Sequence, residues 1–318
     1  MDNRFSIYAA PLQGFTEAPF RHFHAAIYGC QGQADAYFSP FLRIDHGEVR
    51  PRDIRDITSP LNSNHQLIPQ IIFKDVDEFR TLTDRIKQEG FTNIDINMGC
   101  PFTPQVKKGR GAGMIGRSDM FSQVGDMIKR DSDISYSIKM RLGATSPSEW
   151  QEIAPILNDI PLHHITIHPR IATQQYGGSL HIEPLDKFLS EIHHPIIFNG
   201  DILTPADIER VHQSYPTISG IMIGRGLLSR PSLIEEWRTG NELSFEARLP
   251  RVIALHDAVY DHYCQQLCGD SQILSKIKPF WDYLIVEIGR KNAKLIKKAT
   301  KIPSYTAAID RLRRGVIE

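Results

Sequence analysis

Eight short apolar runs, at residues 6–10, 36–42, 67–73, 93–98, 134–139, 163–168, 195–199 and 220–223, constrain this chain more than any other feature. Runs this short and this apolar fit strands buried on both faces, as in parallel sheets. Amphipathic stretches with helical periodicity lie between most of them, at 17–28, 76–90, 119–131, 147–158, 184–192 and 205–213. Ser118 before Asp119, Ser146 before Pro147 and Thr204 before Pro205 read as helix starts. Eight strands alternating with helices predict a closed parallel barrel of the α/β class, the (β/α)8 TIM barrel, rather than an open sheet. Residues 45–64 are polar and irregular, so the second helix is the least marked. Beyond Gly226 the alternation stops. Residues 231–238 read as one more helix, Thr239-Gly240-Asn241 as a linker, and 245–266, 271–288, 292–299 and 304–314 as helices. The expected division is a barrel domain, residues 1–240, and a small all-helical C-terminal domain, residues 241–318.

The bulk composition narrows the setting. No apolar run approaches the roughly 18 residues that span a bilayer, and the segment MDNRFSIYAAP lacks the basic and apolar parts of a secretion signal. Four cysteines (Cys30, Cys100, Cys264, Cys268) do not make a disulfide framework in a chain of 318 residues. A reduced, cytoplasmic, membrane-free protein is the expectation. The 37 basic and 37 acidic residues cancel, so a case for a polyanionic partner has to come from local clustering. Such a cluster exists. From Gly289 to Arg314 there are nine basic residues, among them Lys294, Lys297 and Lys298, and one acid, Asp310. It reads either as a solvated helix face or as a surface for nucleic acid.

Working residues of a parallel barrel lie at the carboxyl ends of its strands. Here those ends carry Pro11-Leu12-Gln13, Ser39-Pro40-Phe41, Asn97 with Cys100, Lys139 with Arg141, His168 with Arg170, Asn199-Gly200-Asp201 and Gly224-Arg225-Gly226, and Gln70 lies on the third strand. The stretch from Asn93 to Gly116 is the densest. It runs from strand to break at Gly99, then to Cys100-Pro101, then to a glycine-rich loop with Lys107, Lys108 and Arg110. On residues alone, Cys100 reads equally as a reactive group or a packed thiol. The turns FNGDI and MIGRG follow the seventh and eighth strands, the usual phosphate position of such barrels, where glycine lets the backbone approach an anion and Arg225 can pair with it. Gly111 to Gly116 fits GxGxxG but lies a dozen residues past its strand, so it is not a dinucleotide turn. His163, His164 and His168 have no cysteine or acid at ligand spacing, and no metal is expected. Cys30, Cys264 and Cys268 read as packed thiols.

Taken together, APLQGFTEAPFR, QIIF, DINMGCP followed by VKKGRGAGMI, SIKMRLG, TIHPR, IIFNGDI, IMIGRG and the tail segment SKIKPFWDYL resemble the tRNA-dihydrouridine synthases, flavin-dependent barrels. The tail pattern of Lys276, Lys278 and Trp281 is similar to the C-type branch, which acts on position 16 of the D-loop. The resemblance implies FMN contacted by Pro11, Leu12, Gln13, Gln70, Lys139 and His168, with its phosphate held by Asn199, Gly200, Asp201, Gly224 and Arg225. It also implies NADPH as electron donor, a uridine of folded tRNA extruded into the site, hydride transfer to C6 and a proton from Cys100 to C5. Asn97 and Arg141 would meet the base or backbone. Lys107, Lys108, Arg110, Lys276, Lys278, Lys294, Lys297 and Lys298 would face tRNA, and the glycines after Arg110 would let that loop close. A proton donor suits the chemistry, because hydride addition to a conjugated carbonyl leaves negative charge to be quenched at C5. An ordinary thiol stays protonated at neutral pH.

The chain departs from the family's pattern at Leu12, at Gln13, at Pro169 within HPR, and in the loop IATQQYGGSLHIEPL, which lacks an Asp-Trp pair. Three other readings stand beside the first: a flavin barrel acting on a small pyrimidine, a related flavoenzyme with a shifted RNA target, and a catalytically silent tRNA-binding homologue. Which uridine is reduced (16, 17 or 20) and whether NADPH or NADH is preferred stay open. A monomer is the expectation.

Overall fold

A computed structural model describes residues 5–317. Residues 1–4, the start of the segment read above as no secretion signal, and residue 318 lie outside them. The strands are β1 (Ser6–Ala9), β2 (Ala36–Phe38), β3 in two pieces (Leu67–Ile68 and Gln70–Ile71), β4 (Asn93–Met98), β5 (Ser135–Gly143), β6 (Leu162–Ile171), β7 (Ile196–Asn199) and β8 (Gly220–Ile223). Neighbours pair in parallel and β1 pairs with both β2 and β8. The ring closes through β3, whose first piece pairs with β2 and whose second pairs with β4. Its break falls at Pro69, which has no N–H for a ladder, while the Pro69 carbonyl still accepts from the Asp95 amide at 2.9 Å. The fold is the (β/α)8 barrel that the spacing predicts.

Register then decides what shares the barrel interior. Gln70 stands beside Asp95, Asp95 beside Ser137, Asn97 beside Lys139, and Arg141 beside His168. Opposite them Ala10, Ala36, Phe38, Ile68, Ile197 and Met222 form an apolar cluster with Tyr8 against it. The interior is therefore split, hydrocarbon on one side and polar groups from Gln70 through β4, β5 and β6 on the other. The alternate residues of those strands, such as Ile94, Ile96, Ile138 and Ile167, point outward into the large core beneath the helices.

The second unit, 45–64, does contain a helix, Pro51–Ile57, followed by a 3-10 turn, Pro60–Asn64. Its periodicity is weak because polar contacts hold it. Fully buried Arg21, on the helix Ala18–Gly32, donates to Asp56 at 3.0 Å, to Asn62 at 2.9 Å and to the Thr16 carbonyl at 2.7 Å. Of the three start signals, Thr204 caps its helix reciprocally with Asp207. Ser118 instead lies inside its helix and caps nothing. No α-helix starts directly after Ser146, because the Glu149 carboxylate accepts from the amides of Ala144, Thr145 and Ser146 and folds that segment into a loop, followed by a 3-10 turn, Glu149–Glu152. The helix begins at Ala154.

The tail comprises helices Phe245–Gln266, Asp270–Ile277, Ile285–Ile288, Arg290–Lys298 and Ile302–Arg313. The single helix expected over 271–288 is interrupted by the 3-10 turn Lys278–Trp281, which contains Pro279. That turn buries Trp281, whose Nε1 donates to the Tyr305 hydroxyl at 3.1 Å. The tail's core takes in Phe20 and Tyr28 of the first barrel helix and Leu228 after β8. Cys30, Cys264 and Cys268, expected to be packed, are exposed. Among the described residues no helix is long and apolar enough to cross a membrane.

Buried histidines make the fold acid-sensitive. His24 Nε2–H donates to the Pro231 carbonyl at 2.9 Å, so Nδ1 accepts from the Tyr37 hydroxyl at 2.7 Å. Burial pushes its pKa down to about 4, and that of His164 to about 3. Because the unfolded chain binds these protons near 6.5, stability is full above that pH and falls as pH drops toward 4, by up to about 1.4 kcal/mol per pH unit for each histidine. Urea midpoints measured across that window should decline, and His24→Gln should flatten the slope. An unchanged slope in the variant would mean His24 is not the titrating group.

Candidate active site

A cavity of about 420 Å³ opens at the carboxyl ends of the strands, within the range of small-molecule sites. The cofactor-side residues Pro11, Leu12, Gln13, Lys139 and His168 line it, as do Asn199, Gly200, Asp201, Gly224 and Arg225. So do Asn97, Cys100 and Arg141. Gln70 does not; it lies fully buried behind the wall.

Its position there has a use. Asp95 accepts from Ser137 Oγ and from Gln70 Nε2, both at 2.6 Å. That leaves Gln70 Oε1 to accept from Asn97 Nδ2 at 2.7 Å. Asn97 Oδ1 is thereby turned toward the loop, where it accepts from the amides of Gly99 at 3.1 Å and Cys100 at 2.8 Å. Asn97, expected at the base, is committed to holding the cysteine turn. Burial raises the Cys100 thiol pKa, partly offset by an N–H of Phe102 and by the charges of Arg141 and Lys139. At neutral pH the sulfur carries its proton.

The glycines beyond Cys100 pack rather than flex. Gly111 has φ +59, and a Cβ there would lie 2.7 Å from the Cys100 Cβ. A Cβ on Gly113 would lie 2.3 Å from the Val106 carbonyl oxygen. Arg110, expected to face RNA, is buried instead: Nη2 meets Glu78 Oε1 at 2.5 Å and Nε meets Oε2 at 3.2 Å. Glu78 is the nearest counter-charge, and burial of the pair fixes the loop against the helix Val76–Gln88. Lys107 and Lys108 remain exposed.

Four cations face the cavity or border it. Lys139 Nζ donates to Asn199 Oδ1 at 2.9 Å, and burial beside Arg141 lowers its pKa to about 8. Arg141 is 1% exposed, with Nε on the Gly99 carbonyl at 3.0 Å and Nη1 on Ile171 at 2.9 Å. Arg170 and Arg225 both pair with Asp201, at 2.5 Å and 3.1 Å. Asp201 therefore offers its backbone to an anion, since its carboxylate belongs to the two arginines, which hold its pKa low. His168 Nε2 accepts from Arg170 Nη1 at 3.2 Å, and burial among these cations holds its pKa well below 6.5, so it is neutral with its proton on Nδ1.

The sequence pattern does not single out Tyr176 or Tyr283. The guanidinium groups of Arg141 and Arg225 both lie over the Tyr176 ring, 5.6 Å and 5.0 Å from its centroid. Tyr283 reaches the cavity from the tail and packs edge-on to Phe15. An aromatic in a glycine-bearing loop is weak evidence in sequence, and Tyr283 reads as one more helix residue. Lys276, expected on tRNA, pairs with Glu17 at 2.7 Å, drawn by a carboxylate just before the first barrel helix. Lys278 donates to the Lys297 carbonyl at 3.0 Å. Lys294, Lys297 and Lys298 are exposed on one helix.

A closed parallel barrel with a cation-lined cavity over its strand ends and a protonated thiol in the wall defines an enzyme of the (β/α)8 class. Residues 8–294 match the dihydrouridine synthase (Dus) family, and the chain belongs to it. A probable tRNA-dihydrouridine synthase of Staphylococcus aureus strain Mu50 is 27% identical over 235 residues, 71% of this chain and 70% of its own. A probable tRNA-dihydrouridine synthase 2 of Bacillus subtilis strain 168 is 25% identical over 265 residues, 81% and 78% of the two chains. Among solved structures, morphinone reductase in complex with tetrahydroNAD superposes with a TM-score of 0.52 at 10% identity, over 75% of this chain and 88% of that one. That is a likeness of fold.

The cysteine environments predict an order of reactivity. Iodoacetamide at pH 8, followed by peptide mass spectrometry, should label Cys30, Cys264 and Cys268 well before Cys100, because thiolate is the reacting form. Cys100 labelled first would mean its proton is already lost.

Proposed function

We propose that this protein reduces a specific uridine in the D-loop of tRNA to 5,6-dihydrouridine, using FMN and NADPH. The observation that carries the proposal is the protonated Cys100 thiol held rigidly among cations in the cavity at the strand ends of a dihydrouridine synthase chain. The residues fit FMN. Leu12, Phe41 and Met222 offer hydrocarbon to a flat ring, while Lys139, Arg225 and the turn at Gly200 offer cations and close backbone to a phosphate. A Cβ on Gly200 would press to 3.2 Å from His168 Cδ2, so that wall is backbone.

Pro11, Leu12, Gln13, Lys139 and His168 would hold the flavin ring, and Asn199, Gly200, Asp201, Gly224 and Arg225 its phosphate. Gln70 acts from behind, through Asn97. When bound, FMN reduced by NADPH would supply the hydride for C6 of the uracil. Cys100 delivers its Sγ proton to C5. The thiolate left behind is met by the charges of Arg141 and Lys139 and by the Phe102 N–H. Arg141 Nη2 has no protein hydrogen bond among the described residues and can reach the uracil carbonyls. Neutral His168 can donate from Nδ1 without adding charge.

Residues 1–240 would carry the chemistry and 241–318 would seat the tRNA, with Lys294, Lys297, Lys298, Lys107 and Lys108 meeting phosphates. A small pyrimidine needs no such surface. Extruding a uridine costs a few kcal/mol, offset by contacts of this kind. The enzyme is proposed to work as a monomer, without metal, in the cytoplasm.

Purified protein should be yellow and release FMN. Cys100→Ala should keep the flavin and its reduction by NADPH but make dihydrouridine at a rate lower by about 100-fold or more; normal turnover would remove Cys100 from the donor role. Mapping dihydrouridine in tRNA from a strain lacking the gene identifies the target position. Reversing the charges of Lys294, Lys297 and Lys298 should weaken tRNA binding and lower the salt slope by about one for each phosphate no longer met. Unchanged binding would make that helix face a solvated one.

A further inference from the structure

Phe102 is exposed to 60% although it lines the cavity beside the catalytic cysteine. It belongs to none of the three hydrophobic clusters and stacks on no other ring among the described residues. Exposed large apolar side chains are few here, and most of those not at the cavity sit in the tail. Tyr176, the other exposed ring at the cavity, is engaged by Arg141 and Arg225. Of the two exposed rings at the cavity, Phe102 is the one whose face is unengaged among the described residues.

Its mounting is stiff. The Phe102 carbonyl accepts from the amides of Gln105 at 2.8 Å and Val106 at 3.1 Å, which starts the turn Thr103–Val106. The Ala112 amide returns to the Cys100 carbonyl at 3.2 Å, Gly111 packs on Cys100, and the Arg110–Glu78 pair clamps the far end. Lys107 and Lys108 stand just beyond and form no ion pair among the described residues. An aromatic face on a rigid loop, bordered by free cations, is what single-stranded nucleic acid is bound with: bases stack on the ring and phosphates meet the charges.

We propose that Phe102 is the stacking platform for the nucleobase adjacent to the uridine that enters the cavity, a specificity-determining contact that rests on the tRNA-reducing function proposed above. Lifting one base out of a stack leaves its neighbours with bare faces at the mouth. Phe102 covers one of them, and Lys107 and Lys108 receive the backbone that leads away. A phenylalanine on a fixed backbone has only two side-chain torsions to order on binding, so the contact favours the complex rather than the loop.

The experiment compares Phe102→Ala, Phe102→Leu and Phe102→Trp in the flavin-loaded enzyme, measuring tRNA Kd, KM and kcat, and the thermal midpoint. Phe102→Ala should raise Kd and KM for tRNA about 5- to 100-fold while kcat changes far less. Phe102→Trp should restore binding and Phe102→Leu should not, since leucine keeps apolar bulk without a π-face. Thermal midpoints should stay together. Equal binding by wild type and Phe102→Ala overturns the proposal, and so does rescue by leucine equal to that by tryptophan. A fall in thermal midpoint matching the loss of binding across all three variants also overturns it, by making the role structural. A wild-type enzyme that binds no tRNA and makes no dihydrouridine overturns the functional proposal itself, a separate result.

Discussion

A carboxylate sealed inside a barrel has to be paired, and Asp95 is. It accepts from Ser137 and Gln70, and burial still raises its pKa to about 6. The pairing is directional. With Gln70 Nε2 drawn to Asp95, the amide has one orientation left, and its oxygen fixes Asn97, which fixes the amides of Gly99 and Cys100. A chain of hydrogen bonds from the barrel interior therefore aims the thiol. In a low-dielectric interior such chains are costly to break at any link, so the geometry of the cysteine turn is set, through Asn97, by Asp95, Ser137 and Gln70, which are buried behind the cavity wall.

The same interior explains how a polar site exists in a folded core. Hydrocarbon fills the side made by β1, β2, β7 and β8, and the polar residues collect on the other, where each has a neighbour in register. The division raises the cationic groups toward the open end, where Lys139, Arg141, Arg170 and Arg225 surround a neutral histidine and one carboxylate. The balance is positive at the wall and apolar opposite, the combination that holds an anionic aromatic ligand.

Much of this is legible in sequence. Strand spacing is a local property, so the barrel and most of the strand ends are readable, as is the motif containing Cys100. Pairing across distance is not. Arg110 looks like a surface charge until Glu78, thirty-two residues away, is seen beneath it. Glycines at 111 and 113 look like hinges until Cys100 and Val106 are found against them. Ser146 has the right residue type for a cap, yet Glu149 takes the amides first. Gln70 reads correctly as a residue of the third strand, but the bonds of its buried amide to Asp95 and Asn97 are not visible there. Each of these depends on a partner that periodicity does not reveal.

The shared core of tail and barrel has a practical side. Phe20 and Tyr28 on the first barrel helix, with Leu228, are covered by Leu249, Val252, Ile253 and their neighbours, and Arg251 lies 4.2 Å over the Tyr28 ring. A fragment ending near residue 240 would leave that patch bare, and large bare apolar patches drive association. The tail and the first barrel helix share one hydrophobic cluster, so neither part is a module to be cut out and grafted elsewhere. Exchanging the tail for another would mean redesigning the outer face of the first barrel helix at the same time.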